Sequence, residues 1–176
     1  MSDLTTANPL GQRILEWTHT TRNVEHLLYG AITIEAVIIG VRYEKIVTTP
    51  LALSVAVWEA CLGLSVAFFF AFALSRRLAS PHALPFGTYL RFLPVILPLI
   101  LVGIAASLGE VIGDKISPQI DSVTHGADFG IIVLCAVVTW LAALAHELTR
   151  ARQLALVAIV VAFMTFVAEL KSLLGH

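Results

Sequence analysis

Four stretches of the chain, 60–75, 92–109, 129–145 and 153–168, contain no charged residue and are almost wholly apolar. Each approaches the roughly 20 residues that a helix needs to cross the hydrocarbon of a bilayer. A fifth stretch, 24–41, is interrupted by Glu25, His26 and Glu35 but is otherwise strongly apolar. Backbone in lipid must close its own hydrogen bonds, so these segments are expected as helices, with the polar breaks sealed against protein. Of the 176 residues 58% are hydrophobic and 13% charged, and the mean hydropathy is +0.89, which excludes an ordinary soluble domain. The expectation is an all-α, polytopic membrane helical bundle with five transmembrane helices, over 24–43, 51–75, 90–113, 128–149 and 152–173.

The segment 1–23 precedes this transmembrane domain of 24–176. Asn8-Pro9 opens a short helix in which Leu10, Ile14 and Trp17 recur on one side, the pattern of an amphipathic helix lying in the interface. Asp3, Arg13, Glu16 and Arg22 leave no room there for the apolar core of a signal peptide. Farther on, Thr48-Thr49-Pro50 supplies a hydroxyl cap and a proline for the start of the second span. Pro94, Pro98 and Gly103 mark the third span as the one expected to bend. Cys61 and Cys135 lie in apolar runs without CxxC spacing and read as buried thiols.

Arg13, Arg22, Arg76, Arg77, Arg91, Arg150 and Arg152 fall on one side of a five-span topology, against Arg42, Lys45, Lys115 and Lys171 on the other. This asymmetry predicts a cytoplasmic N-terminus and the C-terminus outside. A net charge of −1 provides no basic surface for nucleic acid.

Ionisable residues within a span cost about 2.5 to 3.5 kcal/mol at its centre, so each implies a partner or a role. Glu35 and Glu59 lie deepest, on antiparallel spans at comparable depth, an arrangement that allows them to face one another. A facing pair would share one proton, since two like charges out of water cannot both ionise cheaply. Glu110, Asp128 at the start of the fourth span, and Glu169 form an acidic outer mouth together with Asp114 and Asp121 of the intervening loop. The plainer reading makes the loop aspartates solvated caps, and makes Glu35 and Glu59 neutral, hydrogen-bonded acids that hold helices together.

Helical phase supports an inward orientation of these acids. Ala52, Ala56, Glu59 and Gly63 share a face, as do Gly103, Ser107, Glu110 and Asp114, and Ala158, Ala162, Thr165 and Glu169. On the fourth span, Asp128, Cys135, Thr139, Ala142 and His146 lie along one line from the outer to the inner boundary. That line is either a small-residue packing seam or the wall of a polar path ending in an imidazole, the side chain that changes charge nearest neutral pH. His26 is out of phase with Glu35 and belongs at the interface. His146-Glu147 lacks the second histidine of a zinc-protease helix, and no nucleophile or phosphate-binding motif occurs.

Tyr29-Gly30, Trp58 and the closing stretch from Phe166 through Glu169, Leu170 and Lys171 to His176 resemble a group of small integral membrane proteins common in actinobacteria. The resemblance implies an inner-membrane helical bundle and carries no mechanism. The residues themselves point to a small proton or cation channel or transporter, not an enzyme and without a cofactor. Glu35 and Glu59 would form its centre, Thr139 and His146 its inner path, and Glu110, Asp128 and Glu169 its outer mouth, with the metal question open. A five-helix bundle has little room for an aqueous route, so assembly into a homo-oligomer in the lipid bilayer accompanies this expectation. The rival is a scaffold or accessory subunit whose buried acids specify helix packing.

Overall fold

The structure is a computed structural model that describes residues 21–43, 48–79 and 96–174. Those residues form α1 (Thr21–Tyr43), α2 (Pro50–Ala79), α3 (Leu97–Ile116), α4 (Ile120–Ala145) and α5 (Arg150–Leu174), and among them there is no strand. All five helices are long and apolar enough to cross a membrane. The expected interfacial helix before residue 21 lies outside the described residues.

Two helices hold the bundle together, because α1 and α4 each pack against all of the others. α1 buries Leu27, Ala31, Ile34 and Ile38 at helical spacing, and the same face carries Glu35. α4 contributes Val123, Ala127, Ile131, Cys135 and Val138 to the same core. The outward faces are apolar as well: Leu51, Val55, Leu62, Val66 and Phe70 on α2, and Leu154, Ile159, Phe163 and Phe166 on α5, are exposed. Large exposed hydrophobics on this scale suit lipid and not water.

The closest approach is between α3 and α4. Ala105, Gly109 and Gly113 recur every fourth residue on α3, and Ser122, Gly126 and Gly130 do so on α4. The two rows meet antiparallel: a Cβ on Gly109 would strike the Gly126 carbonyl, one on Gly126 the Gly109 carbonyl, and one on Gly130 the Ala105 carbonyl. Ser122 Oγ reinforces this end by donating to Gly113 O at 3.0 Å. Backbone-to-backbone contact of this kind is the usual use of small residues in membrane helices.

Local signals explain the other ends. Thr49 caps α2, its Oγ1 accepting from the Ala52 N–H at 3.3 Å. α4 closes in a Schellman turn, with Leu148 N–H donating to Ala143 O at 3.1 Å, Glu147 N–H to Leu144 O at 3.0 Å, and Glu147 in the left-handed region at φ 53°. Gln153 Nε2 then donates to Leu148 O at 2.8 Å and ties the turn to α5. At that end of the bundle Phe68 of α2 packs on His26 and Tyr29 of α1, with ring centroids 5.6 and 5.9 Å away.

Two boundaries differ from the sequence expectation. α4 begins at Ile120, eight residues before the expected start, so Asp128 lies two turns inside the helix and not at its cap. The polar run from Asp121 to Asp128 resembles a loop in composition, yet its Ser122 and Gly126 fit the glycine row of α3. α3 begins at Leu97, which places Pro98 in the first turn, where its missing N–H has no helical partner to lose. Pro98 therefore starts α3 instead of bending it, and Pro94 lies outside the described residues.

Gly109→Ala and Gly126→Ala should each destabilise the protein by about 1 to 3 kcal/mol, the usual cost of overpacking a close contact. Gly63→Ala, on α2 where a new Cβ meets nothing within 4 Å, should not. Thermal unfolding in lipid nanodiscs compares the three; equal stability for all would contradict the seam.

Candidate functional site

Glu35 is fully buried on α1, and neither carboxyl oxygen finds a hydrogen bond of ordinary geometry among the described residues. The group set against it is the carboxyl of Asp128 on α4. Helix geometry accounts for the match. Glu35 lies eight residues before the end of α1 and Asp128 eight residues after the start of α4, so at 1.5 Å per residue both sit roughly 12 Å below the same end of the bundle. Cys135, two turns along α4, also faces Glu35.

Thr139 continues this α4 face one turn deeper. Its Oγ1 is buried without a hydrogen-bond partner among the described residues, in contrast to several other buried or half-buried hydroxyls of the bundle. Thr33 Oγ1 donates to Tyr29 O at 2.8 Å, Ser65 Oγ to Cys61 O at 2.7 Å, and Thr124 Oγ1 to Ile120 O, each using the carbonyl four residues back. The expected α4 line is thus interior from Asp128 through Cys135 to Thr139. Ala142 is half-buried and His146, just past the helix end, is exposed.

A second polar contact joins α2 and α3. Glu110 is buried, and one of its oxygens accepts from Ser54 Oγ. One turn away Trp58 Nε1 donates to Ser107 Oγ at 3.1 Å, while its ring edge lies where a Cβ on Gly103 would come within 3.3 Å. Gly103, Ser107 and Glu110 therefore face the bundle as their phase predicts, and Asp114 is exposed.

Glu59 does not face Glu35. It is exposed on α2, in a groove with Val41, Thr49, Val55 and Ala56. The buried face of α2 consists of Leu53, Val57, Cys61 and Ser65, while of the expected row Ala52 packs on the core from a half-buried position, Ala56 is half-buried and Gly63 is exposed. α5 departs from expectation in the same way: Ala158, Ala162, Thr165 and Glu169 are all exposed, while Gln153 and Met164 are buried. On both helices the fully buried side chains lie outside the small-residue row.

Of the seven residues marked by sequence, the structure brings Glu35, Asp128 and Thr139 to one face between α1 and α4. It places Glu110 in a separate contact, and leaves Glu59, Glu169 and His146 exposed. The sequence reading missed two partners. Ser54 carries no signal beyond its position one turn before Trp58. His125 was legible, because it stands three residues before Asp128, and its Nδ1 lies 3.9 Å from Asp128 Oδ2. Among the described residues no group of three or more His, Cys, Asp or Glu is arranged to hold a metal ion.

No family model, curated protein or solved structure matches the chain.

The placement of Glu59 and Trp58 gives opposite expectations for two neighbouring residues. Trp58→Phe should lower stability in nanodiscs by about 1 kcal/mol, the usual net value of a lost hydrogen bond. Glu59→Leu should leave stability unchanged or raise it, because it replaces an exposed carboxyl by an apolar side chain. A marked loss for Glu59→Leu would mean that Glu59 is packed inside.

Proposed function

We propose that this is a small proton or cation channel or transporter of the inner membrane, with its N-terminus on the cytoplasmic side and its central site at Glu35 and Asp128. The observation that carries the reading is the state of Glu35. Its carboxyl is fully enclosed, no N–H or hydroxyl among the described residues donates to it, and the group set against it across the helix interface is a second carboxyl.

Buried acids that serve only as packing contacts are expected to be satisfied by donors, as Glu110 is in part by Ser54. Two carboxyls side by side in an apolar interior instead repel unless a positive charge joins them. They hold a proton or a cation in common, which is the property a transport site needs. Thr139 supports the reading as a further interior oxygen on the same α4 face. Glu59 is not part of this centre, and association of several copies in the membrane remains part of the proposal.

A scaffold role is the second reading, favoured by the α2–α3 contact in which Ser54, Glu110, Trp58 and Ser107 pair with one another. Reconstitution separates the two. Liposomes containing the protein, a pH-sensitive dye and an imposed potential should show flux above empty vesicles. Glu35→Gln and Asp128→Asn should stay folded and lose it, the double variant being no worse than either, while Glu59→Gln keeps it. Folded protein without flux of protons or of monovalent or divalent cations would favour the scaffold.

A further inference from the structure

We propose that the carried species is the proton and that His125 is its entry station, exchanging protons with the aqueous boundary and passing them through Asp128 to Glu35. This rests on the transport reading above and adds to it a residue and a substrate.

The three side chains form a graded series. His125 is 62% exposed, Asp128 13% exposed and Glu35 completely buried. His125 and Asp128 lie three residues apart on one face of α4, with Nδ1 3.9 Å from Oδ2, and Asp128 in turn adjoins Glu35 across the α1–α4 interface. His125 is five residues into α4, hence about 7.5 Å below the helix start, while Asp128 and Glu35 are at roughly 12 Å. The series therefore descends from the end of the bundle that holds the α3–α4 turn. An exposed imidazole has the rotamer freedom to close the remaining gap to a hydrogen bond.

The chemistry balances without any other reactant. Imidazolium at His125 gives its proton to the Asp128 carboxylate and is recharged from water. The Asp128 carboxylic acid gives that proton to the Glu35 carboxylate and returns to its ionised form. Imidazole suits the first position because it has two nitrogens, one to receive a proton and one to give it.

The donor set also argues against a metal or alkali cation at the buried end. Hard cations take six or more oxygens, whereas Glu35 lies among Ala31, Ile34, Ile38, Ala127 and Ile131 of the core, with Asp128 and the softer Cys135 as its polar neighbours. Other titratable or charged groups at this end of the bundle, among the described residues, are Asp121, one turn before His125, the exposed Asp114 and Lys115 in the last turn of α3, the exposed Glu59 of α2 and Glu169 of α5, and Glu110 of α3, whose partner is Ser54 of α2.

The test follows the protonation of Glu35 directly, on the full chain in liposomes, by infrared spectroscopy after a rapid pH jump. The carboxylic C=O band removed by Glu35→Gln identifies the site. In His125→Gln the band should retain its amplitude but respond about a hundredfold more slowly, the lower end of what a positioned proton-transfer group contributes. Added imidazole should restore the rate. An unchanged rate in His125→Gln would overturn the role of His125, and dye-silent flux carried by sodium or potassium would overturn the proton as substrate. A band that responds in wild type, with no flux of any ion, would instead strike the transport reading while leaving the relay in place.

Discussion

The interaction on which this bundle turns is the meeting of two carboxyls, Glu35 and Asp128, on the two helices that touch all the others. Each lies within a segment that lipid would reject if its acid faced outward, at a cost of about 2.5 to 3.5 kcal/mol near the centre of a span. Facing α1 and α4 toward one another removes both acids from lipid together, and it fixes how these helices are turned. Leu27, Ala31, Ile34 and Ile38 then complete the core on α1, and Val123, Ala127, Ile131 and Val138 do so on α4. The apolar packing and the acidic pair are therefore consequences of one helix orientation.

Depth is set by the neighbouring seam. Because Gly109 and Gly126 let two backbones touch, and Ser122 ties back to Gly113, α4 is held against α3 from its first turns. That contact makes 120–128 helical, extends α4 toward the end of the bundle and carries Asp128 inward to the level of Glu35. Without those glycines, the polar stretch around Asp121 and His125 has little reason to join a transmembrane helix. A packing feature on one face of α4 thus positions a chemical one on another.

The sequence made four spans legible because charge-free apolar runs of helix length have few other solutions in water or lipid, and the span of α1 legible because its residues around Glu25, His26 and Glu35 are otherwise strongly apolar. The interior line on α4 was legible for the same reason that periodicity works: Asp128, Cys135 and Thr139 keep helical phase. Pairing was not. Glu35 and Glu59 lie at compatible depths, but depth does not reveal rotation about the helix axis, and the bulk of Leu53, Val57 and Cys61 turned Glu59 outward. Small residues misled on α2 and α5 yet decided the α3–α4 contact. The difference lay in a matching row on the partner, Ser122, Gly126 and Gly130 opposite Ala105, Gly109 and Gly113, which only a comparison of two segments discloses.

The most direct measurement is a double-mutant cycle on the acid pair, with Glu35→Gln, Asp128→Asn and their combination compared by unfolding stability in a lipid environment. Adjacent carboxyls that share a charge are coupled, so the double variant should depart from the sum of the singles by about 0.5 to 3 kcal/mol, the range for groups in contact. Glu59→Gln combined with Asp128→Asn should simply add. Additivity for Glu35 with Asp128, or coupling that appears for Glu59 instead, would contradict the pairing of α1 and α4 through these two acids.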